Sequence, residues 1–338
     1  MLKPSGDISP ALFFETVNAY QRTQALKTAI ELDLFTAIGE GNHTSEALVR
    51  RCAASERGLR ILCDYLVVVG FLTKQANRYD LTADSAAFLD QRSPGYLGGT
   101  IKFLLSPMLT EGFQDLAAAV RKGGTVMSEK GTLAPEHPVW VQFAKAMAAM
   151  AALPAKLIAD LIDVGPDQNI DVLDIAAGHG LFGIAFAQRY PKAKVVAVDW
   201  PNVLVVAQEN AKKAGVSQYS TVAGSAFEAS FGNGYDLALI TGFLHHFDAP
   251  TCQTLLKKVH SALADDGRAV TLEFIPNEDR ISPPIAASFS LMMLGSTPSG
   301  DAYTFSELES MFQSVGFPRN ELHPLPPTFL QVVVSHKR

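Results

Sequence analysis

Two adjacent histidines, His245 and His246, follow an apolar run in the second half of the chain. A neutral imidazole, with an ordinary pKa of about 6.5, can take the proton of a hydroxyl whose own pKa is far higher, near 10 for a phenol. Adjacent side chains point in different directions, so we expect only one ring to face a substrate. The pair therefore offers a general base at the end of a predicted strand.

A glycine-containing turn precedes these histidines. The apolar run 171–175 contains Asp174 and leads through Ala176 to Gly178 and Gly180. Glycines after a buried strand let the backbone approach a ligand closely, and the first N–H groups of the next helix then face that ligand. This pattern predicts a site for a nucleotide-like ligand.

Two kinds of cofactor fit this turn. Gly178, Gly180 and Gly183 satisfy G-x-G-x-x-G, and Asp199 lies about 20 residues further on, as in a site for NAD. Asp174, however, lies inside the strand, where its charge would repel a pyrophosphate and attract a ligand that carries an ammonium and a sulfonium. The position of this acid favours the second kind of ligand.

The elements that must position these residues alternate from residue 169 onward, which predicts a mostly parallel sheet with helices on both faces. The predicted strands are 171–175, 194–198, 219–223, 235–240, 268–274, 321–325 and 329–334. The predicted helices are 180–190, 203–214, 250–264, 284–294 and one that begins at a capping box of Thr304 and Glu307. The last two strands are expected to form a hairpin whose final strand inserts into the sheet.

The first hundred residues have a different pattern. Helices are predicted from Ser9-Pro10 through residues 25–35, at 44–53 and at 55–69, followed by a hairpin at 71–81. Three helices and a two-stranded wing are the order of a winged helix. Basic and acidic side chains nearly balance in this region, so we favour dimerisation over DNA binding.

A helical segment links the two patterns. A helix, a turn and a second helix are predicted over 95–131, a further helix over 139–150, and a linking helix after Pro154. Phe143, Met147 and Met150 share one helical face, which is either core or an adaptable apolar wall against an aromatic substrate. The predicted division is a dimerisation domain at 1–100, a linker that contributes to the substrate pocket at 101–168, and a catalytic domain at 169–338.

The composition of the chain limits the kinds of molecule that it is expected to bind. The 338 residues are 48% hydrophobic and carry a formal net charge of −6, so no basic surface is indicated for nucleic acid or an anionic membrane. The three cysteines are scattered and the acids do not cluster as ligands, so no metal site is predicted. No stretch has the pattern of a signal peptide. We expect a soluble cytoplasmic protein that acts on a small molecule.

Several stretches together resemble one family. Asp174 to Gly180 resembles motif I of class I S-adenosylmethionine-dependent methyltransferases. Further stretches resemble the small-molecule O-methyltransferases that act on caffeic acid, hydroxyindoles or polyketides: the N-terminal helix ALKTAIELDLF at 25–35, the wing RYDLT at 78–82, the substrate-facing FAKAM at 143–147 and the catalytic segment GFLHHF at 242–247. The resemblance covers almost the whole chain. It implies a Rossmann-like seven-stranded methyltransferase domain, S-adenosylmethionine as cofactor and a homodimer formed through a winged-helix-like N-terminal domain.

The resemblance also implies roles for cofactor-site residues. Asp199 would accept hydrogen bonds from both ribose hydroxyls, and Trp200 would cover the adenine face. The methionine part would lie against Asp174, Ala176, Gly178 and Gly180. The remaining cofactor contacts are implied at Ser225, Ala226, Phe227 and Thr241; the family usually has Asp at the first of these positions and often Lys at the last.

The catalytic roles follow the same resemblance. His245 is implied as the base, and Glu273 as the acid that orients its ring. Asp301 is the candidate for a second such acid, one position out of phase with the family pattern. The acceptor pocket would be lined by Phe143, Met147, Met150 and His246 and roofed by Phe289, Met292 and Met293.

The leading hypothesis is therefore a homodimeric O-methyltransferase that acts on a phenolic or other hydroxylated aromatic molecule. One alternative keeps the cofactor and moves the methyl group to nitrogen or carbon. Another is a winged-helix regulator that binds the cofactor without catalysis. An NAD-dependent dehydrogenase is the remaining alternative for the glycine turn.

Overall fold

The computed structural model describes residues 8–127, 136–165 and 168–338. The chain divides into two compact units, with the boundary between Ile101 and Lys102. The helices predicted for a linker thus fall largely in the second unit, and the threefold division of the sequence stays a prediction.

The first unit is helical with one small hairpin. Its elements are α1 (Ala11–Val17), α2 (Ala19–Glu31), α3 (Leu34–Gly39), α4 (Ser45–Cys52), α5 (Glu56–Val68), β1 (Leu72–Gln75), β2 (Arg78–Leu81) and α6 (Ala83–Phe88). Thr44 and Ser55 cap α4 and α5 through their side-chain oxygens, as their positions predict. The helix predicted to continue through residue 35 instead ends at Glu31, because Asp33 adopts a left-handed conformation with φ of 56°.

The helices that open the second unit differ from prediction in two places. They are α7 (Ile101–Leu104), α8 (Pro107–Glu111), α9 (Leu116–Lys122) and α10 (Pro138–Leu161). The helix–turn–helix predicted over 95–131 is three short helices as far as residue 127, and its end lies outside the described residues. The break predicted before Pro154 is wrong: α10 continues through this buried proline.

Tertiary packing explains why α10 stays intact. Ala151, Ala155 and Ile158 lie on both sides of Pro154 and pack in a core cluster with Phe182 and Phe186, and this burial offsets the hydrogen bond that proline cannot donate.

Among the described helices, α10 alone is long and apolar enough to cross a membrane, by length and composition.

The rest of the second unit contains a seven-stranded sheet, as predicted. Its elements are β3 (Asp171–Ile175), α11 (Leu181–Arg189), β4 (Lys194–Asp199), α12 (Pro201–Lys213), β5 (Tyr219–Ala223), β6 (Tyr235–Thr241), α13 (Ala249–Ala262), β7 (Leu263–Glu273), α14 (Pro284–Ser296), α15 (Phe305–Ser314), β8 (Arg319–Pro324) and β9 (Gln331–His336). The order is β5-β4-β3-β6-β7-β9-β8, and among these seven described strands only β9 runs opposite to the others, pairing antiparallel with β7 and with β8. The capping box of Thr304 and Glu307 is present.

This topology fixes where the site must be. The strand β3 pairs in parallel with β4 on one side and with β6 on the other, and β6 pairs in parallel with β7. The carboxyl ends of these four strands therefore meet at one edge of the sheet. Ligands of open α/β sheets bind at such a point, where the strand order reverses.

Candidate active site

The turn after β3 is pinned to the end of β4. The backbone N–H of Gly178 donates to Asp199 Oδ2 at 2.8 Å. Ala176, Gly178 and Gly180 have positive φ values of 52°, 57° and 73°. A Cβ at Gly180 would collide with the Tyr219 hydroxyl and with Ala207, so this position requires glycine for space as well as for conformation.

Asp174 is fully buried beneath this turn. Its Oδ2 accepts the backbone N–H of Gly183 at 3.1 Å, while Oδ1 is buried and has no hydrogen-bond partner among the described residues. Burial raises the pKa of this carboxyl to about 7; the Gly183 N–H acts in the opposite direction, and Asp199 raises the pKa slightly further. One oxygen of Asp174 thus anchors the first turn of α11.

Asp199 ends β4 with both oxygens engaged by backbone. Oδ1 accepts from the N–H of Trp200 at 2.7 Å, and Oδ2 accepts from Gly178. Burial raises the pKa of this carboxyl to about 6, and both N–H donors oppose that rise. Because each carboxylate oxygen has two lone pairs, each can still accept one more hydrogen bond. The pair of free lone pairs fits a vicinal diol.

The neighbouring loop is tied to the same carboxylate residue. The N–H of Gly224 donates to the carbonyl of Asp199 at 2.9 Å. Ser225 Oγ accepts the N–H of Phe227 at 3.2 Å, which closes a tight turn. The carbonyl of Ala226 accepts from Lys258 Nζ at 3.0 Å. The loop that the resemblance implies as a cofactor contact is therefore held beside Asp199, at the same edge of the sheet.

Trp200 begins α12 and is half-buried. It packs around Ala144, Val203 and Val206 together with Trp140 of α10. Its backbone N–H donates to Asp199, which keeps it beside the end of β4.

His179 lies in the glycine turn of the candidate site and was not identified from the sequence. It lies between Gly178 and Gly180, is 4% exposed, and its ring stacks on Phe143 with centroids 6.3 Å apart. Nδ1 accepts the N–H of Leu181 at 3.2 Å, so the proton of the neutral ring is on Nε2. Burial lowers the pKa of His179 to about 4 and keeps the ring neutral. A ring between two glycines of a ligand turn was the signal available in the sequence.

The second half of the site is the turn after β6. Thr241 ends that strand, Gly242 has a φ of 63°, and its N–H donates to the carbonyl of Leu272 on β7 at 2.8 Å. A single 3-10 turn, Leu244–His246, follows. The turn is thus fastened to the neighbouring strand, which delivers His245 to the same edge as the glycine turn.

Glu273, the last residue of β7, organises this turn. Its Oε1 accepts the backbone N–H groups of Phe243 and Leu244 at 3.0 and 2.9 Å, and its Oε2 is hydrogen-bonded to Nδ1 of His245. Both side chains are buried, at 4% and 7% exposed. An ionised carboxylate only accepts hydrogen bonds, so Nδ1 carries the proton and Nε2 carries the free lone pair. This is the tautomer that a general base requires.

The ring of His246 lies beside that of His245, with centroids 4.3 Å apart. Its Nδ1 is buried without a hydrogen-bond partner in the described part of the chain. Burial, and to a smaller extent His245, holds the pKa of His246 well below its ordinary value. The two adjacent rings are thus neighbours in the 3-10 turn, and that only one of them faces a substrate stays a prediction.

An apolar cluster faces this turn from α10 and α14. Phe143, Met147 and Met292, which we call the acceptor wall, pack together around Phe103, Leu109 and Val139. Phe289 meets His245 edge-on with centroids 4.9 Å apart. Met150 and Met293 are not members of this cluster, and Met293 is 3% exposed. Of the predicted pocket residues, the structure thus places Phe289 against the candidate base and groups Phe143, Met147 and Met292 in one apolar cluster.

Asp301 is engaged elsewhere. Its Oδ2 pairs with Arg280 at 3.3 Å and its Oδ1 accepts the N–H of Ala302 at 2.8 Å. Glu273, not Asp301, is the acid recorded on the ring of His245. Among the residues that the structure describes, no group of three or more His, Cys, Asp or Glu side chains could hold a metal ion.

Comparison with known sequences identifies the family. A family model described as an O-methyltransferase domain matches residues 113–318, and one described as an O-methyltransferase dimerisation domain matches residues 14–91. The chain is 26% identical over 320 residues to 3-hydroxy-5-methyl-1-naphthoate 3-O-methyltransferase of Streptomyces sahachiroi, which covers 93% of this chain and 91% of that protein.

Solved structures give the same result. A candidate O-methyltransferase from Nostoc punctiforme PCC 73102 is 59% identical, with a TM-score of 0.94 over 98% of this chain and 100% of that one. Human N-acetylserotonin methyltransferase, solved in complex with S-adenosylmethionine, shares the fold with a TM-score of 0.84 at 22% identity over 99% of each chain. Since the O-methyltransferase domain matches more than half of the sequence, this chain belongs to the O-methyltransferase family.

Proposed function

We propose that this enzyme methylates a hydroxyl group of an aromatic small molecule, with S-adenosylmethionine as methyl donor and His245 as general base. The observation that carries the proposal is the hydrogen bond from His245 Nδ1 to the buried carboxylate of Glu273. That bond leaves the Nε2 lone pair as the basic atom of the ring. The relative from Streptomyces sahachiroi, named as a 3-O-methyltransferase of a hydroxynaphthoate, supports the acceptor class.

The residues at the sheet edge fit this cofactor. Asp199 has one free lone pair on each oxygen for the two ribose hydroxyls, and the turn at Gly178 and Gly180 lets the backbone approach without a side chain between. Trp200 offers an aromatic face beside Asp199 for the adenine. When bound, the cofactor supplies an electrophilic methyl group on a sulfonium.

Two tasks remain for the protein, alignment and proton removal. Methyl transfer is an in-line displacement, so the acceptor oxygen must be held in one direction. His245 Nε2 accepts the hydroxyl proton as the oxygen becomes the nucleophile. Glu273 stabilises the imidazolium that forms, and its two backbone hydrogen bonds keep its own position fixed.

We propose that the acceptor wall favours flat, apolar substrates. Thioether and aromatic side chains adapt to ring systems and make favourable sulfur–ring contacts, worth about 0.3–1.5 kcal/mol each. Phe143, Met147 and Met292 supply these groups, and Phe289 adds a ring edge beside the base. We propose Met150 and Met293 as more distant supports of this pocket.

The family includes a dimerisation domain, and we propose that this chain forms a homodimer through its first unit. The helix α1 buries none of its residues, and it exposes Leu12, Phe13, Phe14 and Val17. Exposed apolar patches of this kind mark protein interfaces. Sedimentation of the purified protein at two concentrations tests the dimer. We also propose that the enzyme acts in the cytoplasm and does not bind nucleic acid.

The identity of the atom that receives the methyl group is tested by following the labelled methyl group into the product. Wild-type protein is incubated with methyl-labelled S-adenosylmethionine and a panel of phenols, hydroxynaphthoates and hydroxyindoles, together with amine analogues of the same rings. Label on oxygen of a hydroxylated member supports the proposal. Label confined to nitrogen or carbon, or cofactor binding without any transfer, contradicts it.

A further inference from the structure

Trp140, which no sequence pattern identified, lies where the parts of the site meet. This residue is in the first turn of α10, and its ring meets His246 edge-on with centroids 5.2 Å apart. It meets Phe143 edge-on at 5.8 Å. It also packs in the cluster that contains Trp200 and Val203. One side chain therefore contacts the histidine turn, the acceptor wall and the cofactor edge.

Packing, and not hydrogen bonding at Nδ1, orients the ring of His246. That nitrogen is buried and has no partner among the described residues. The recorded ring neighbours of His246 are Phe243, His245, Phe247 and Trp140. The first three belong to the same segment of chain, 243–247, so Trp140 is the aromatic neighbour among the described residues that contacts this ring from another element.

The orientation of the His246 ring affects the orientation of the base, His245. Glu273 is hydrogen-bonded to one nitrogen of His245, so the other contacts of the buried ring help to set its tilt. The recorded ring neighbours of His245 are His246 at 4.3 Å and Phe289 at 4.9 Å. A shift of His246 would therefore allow Nε2 to turn away from the acceptor oxygen.

We propose that Trp140 is a positioning residue for methyl transfer, which sets the His246 ring and through it the direction of His245 Nε2. The proposal rests on His245 being the base, as argued above. Phe143, three residues further along the same helix face, stacks on His179 of the glycine turn and lies against Gly178. This face of α10 thus contacts both the histidine turn and the glycine turn, and so sets the distance between the base and the cofactor turn.

The test compares Trp140→Leu and Trp140→Phe with wild type, using the phenol of the panel that has the highest kcat/KM. Loss of the aromatic edge is expected to lower kcat about 10- to 100-fold, because small misplacements of reacting groups have effects of that size. The Kd for S-adenosylhomocysteine, measured by calorimetry, is expected to stay within about threefold. Trp140→Phe restores most of the turnover, since an aromatic edge remains. If the Leu variant does not fold, Trp140→Met gives the same measurement.

Two controls separate positioning from general loosening of α10. Ile158→Val removes buried packing five turns away on the same helix and is expected to lower Tm while leaving kcat unchanged. Trp140→Leu added to His246→Leu is expected to cause no further loss of kcat, because both act through the same ring.

A kcat within threefold of wild type in Trp140→Leu overturns the inference, as does an equal loss in Ile158→Val or full additivity with His246→Leu. If wild type methylates no hydroxyl, or His245→Ala is fully active, the proposed function fails and the inference fails with it. The result for His245→Ala therefore distinguishes the two failures.

Discussion

Replacing Glu273 by glutamine tests how the base is prepared. The carboxylate accepts three hydrogen bonds, from the backbone N–H groups of Phe243 and Leu244 and from Nδ1 of His245. A glutamine oxygen can keep both backbone bonds. Its amide NH₂ would then face Nδ1 and favour the tautomer with the proton on Nε2. The variant thus keeps the fold and removes the lone pair that takes the proton.

The expected loss is large because the ring is in the wrong tautomer and the imidazolium loses its partner charge. A comparable acid-to-amide change in a serine protease lowers kcat about 10,000-fold. A phenol is easier to deprotonate than the hydroxyl of serine, so we expect a loss of about 100- to 10,000-fold, or about 3–5 kcal/mol in the barrier.

The assay is single-turnover methyl transfer with saturating cofactor, together with Tm and the Kd for S-adenosylhomocysteine. Glu278→Gln is the matched control, since this exposed acid accepts from Ser306 and has no recorded contact with His245. We expect that control to react at the wild-type rate. A Glu273→Gln enzyme that keeps a third or more of the wild-type rate would refute the assignment of Glu273 as the residue that sets the tautomer.

Two further predictions follow from the acids at the cofactor edge. Asp199→Ala is expected to weaken cofactor binding at least tenfold, because it removes the acceptor for two hydroxyls and releases the N–H of Gly178; an unchanged calorimetric Kd would exclude the ribose role. The second concerns Asp174, whose pKa in the fold is raised by burial to about 7 from its ordinary value of about 3.8. Because the fold favours the protonated carboxyl, its contribution to stability is fully present below pH 3.8 and is lost as the pH rises through 7. The free energy of unfolding of wild type relative to Asp174→Asn should therefore fall by roughly 1.4 kcal/mol per pH unit between about pH 4 and 7, and equal slopes in urea titrations of the two proteins would contradict this.

The sheet was predictable because buried parallel strands appear in sequence as short apolar runs. The strands at 171–175 and 219–223 have the predicted bounds, and the capping box at Thr304 marks the start of α15. The strand β7 instead begins at Leu263, five residues before the predicted start, because pairing with Tyr235 extends it across Asp265 and Asp266. Polar residues at a strand end carry no apolar signal.

The sequence located the acids and the candidate base of the site, but not the packing around them. Asp199 and Glu273 end their strands, Asp174 lies near the end of β3, and His245 lies in the turn after β6, so the strand pattern locates all four. The stack of His179 on Phe143 and the contact of Trp140 with His246 join residues that are 36 and 106 positions apart. No local pattern encodes such contacts, since they depend on where α10 crosses the sheet edge. The ion pair of Asp301 with Arg280 likewise depends on tertiary structure and has no local sequence pattern.

The central claim is that His245 removes the proton of a hydroxyl while other residues hold the cofactor. It is tested most directly by single-turnover transfer from methyl-labelled S-adenosylmethionine to the preferred phenol, in wild type and in His245→Ala. We predict that the variant binds the cofactor with the wild-type Kd and loses most of its transfer rate. Transfer at the wild-type rate in His245→Ala would contradict the claim.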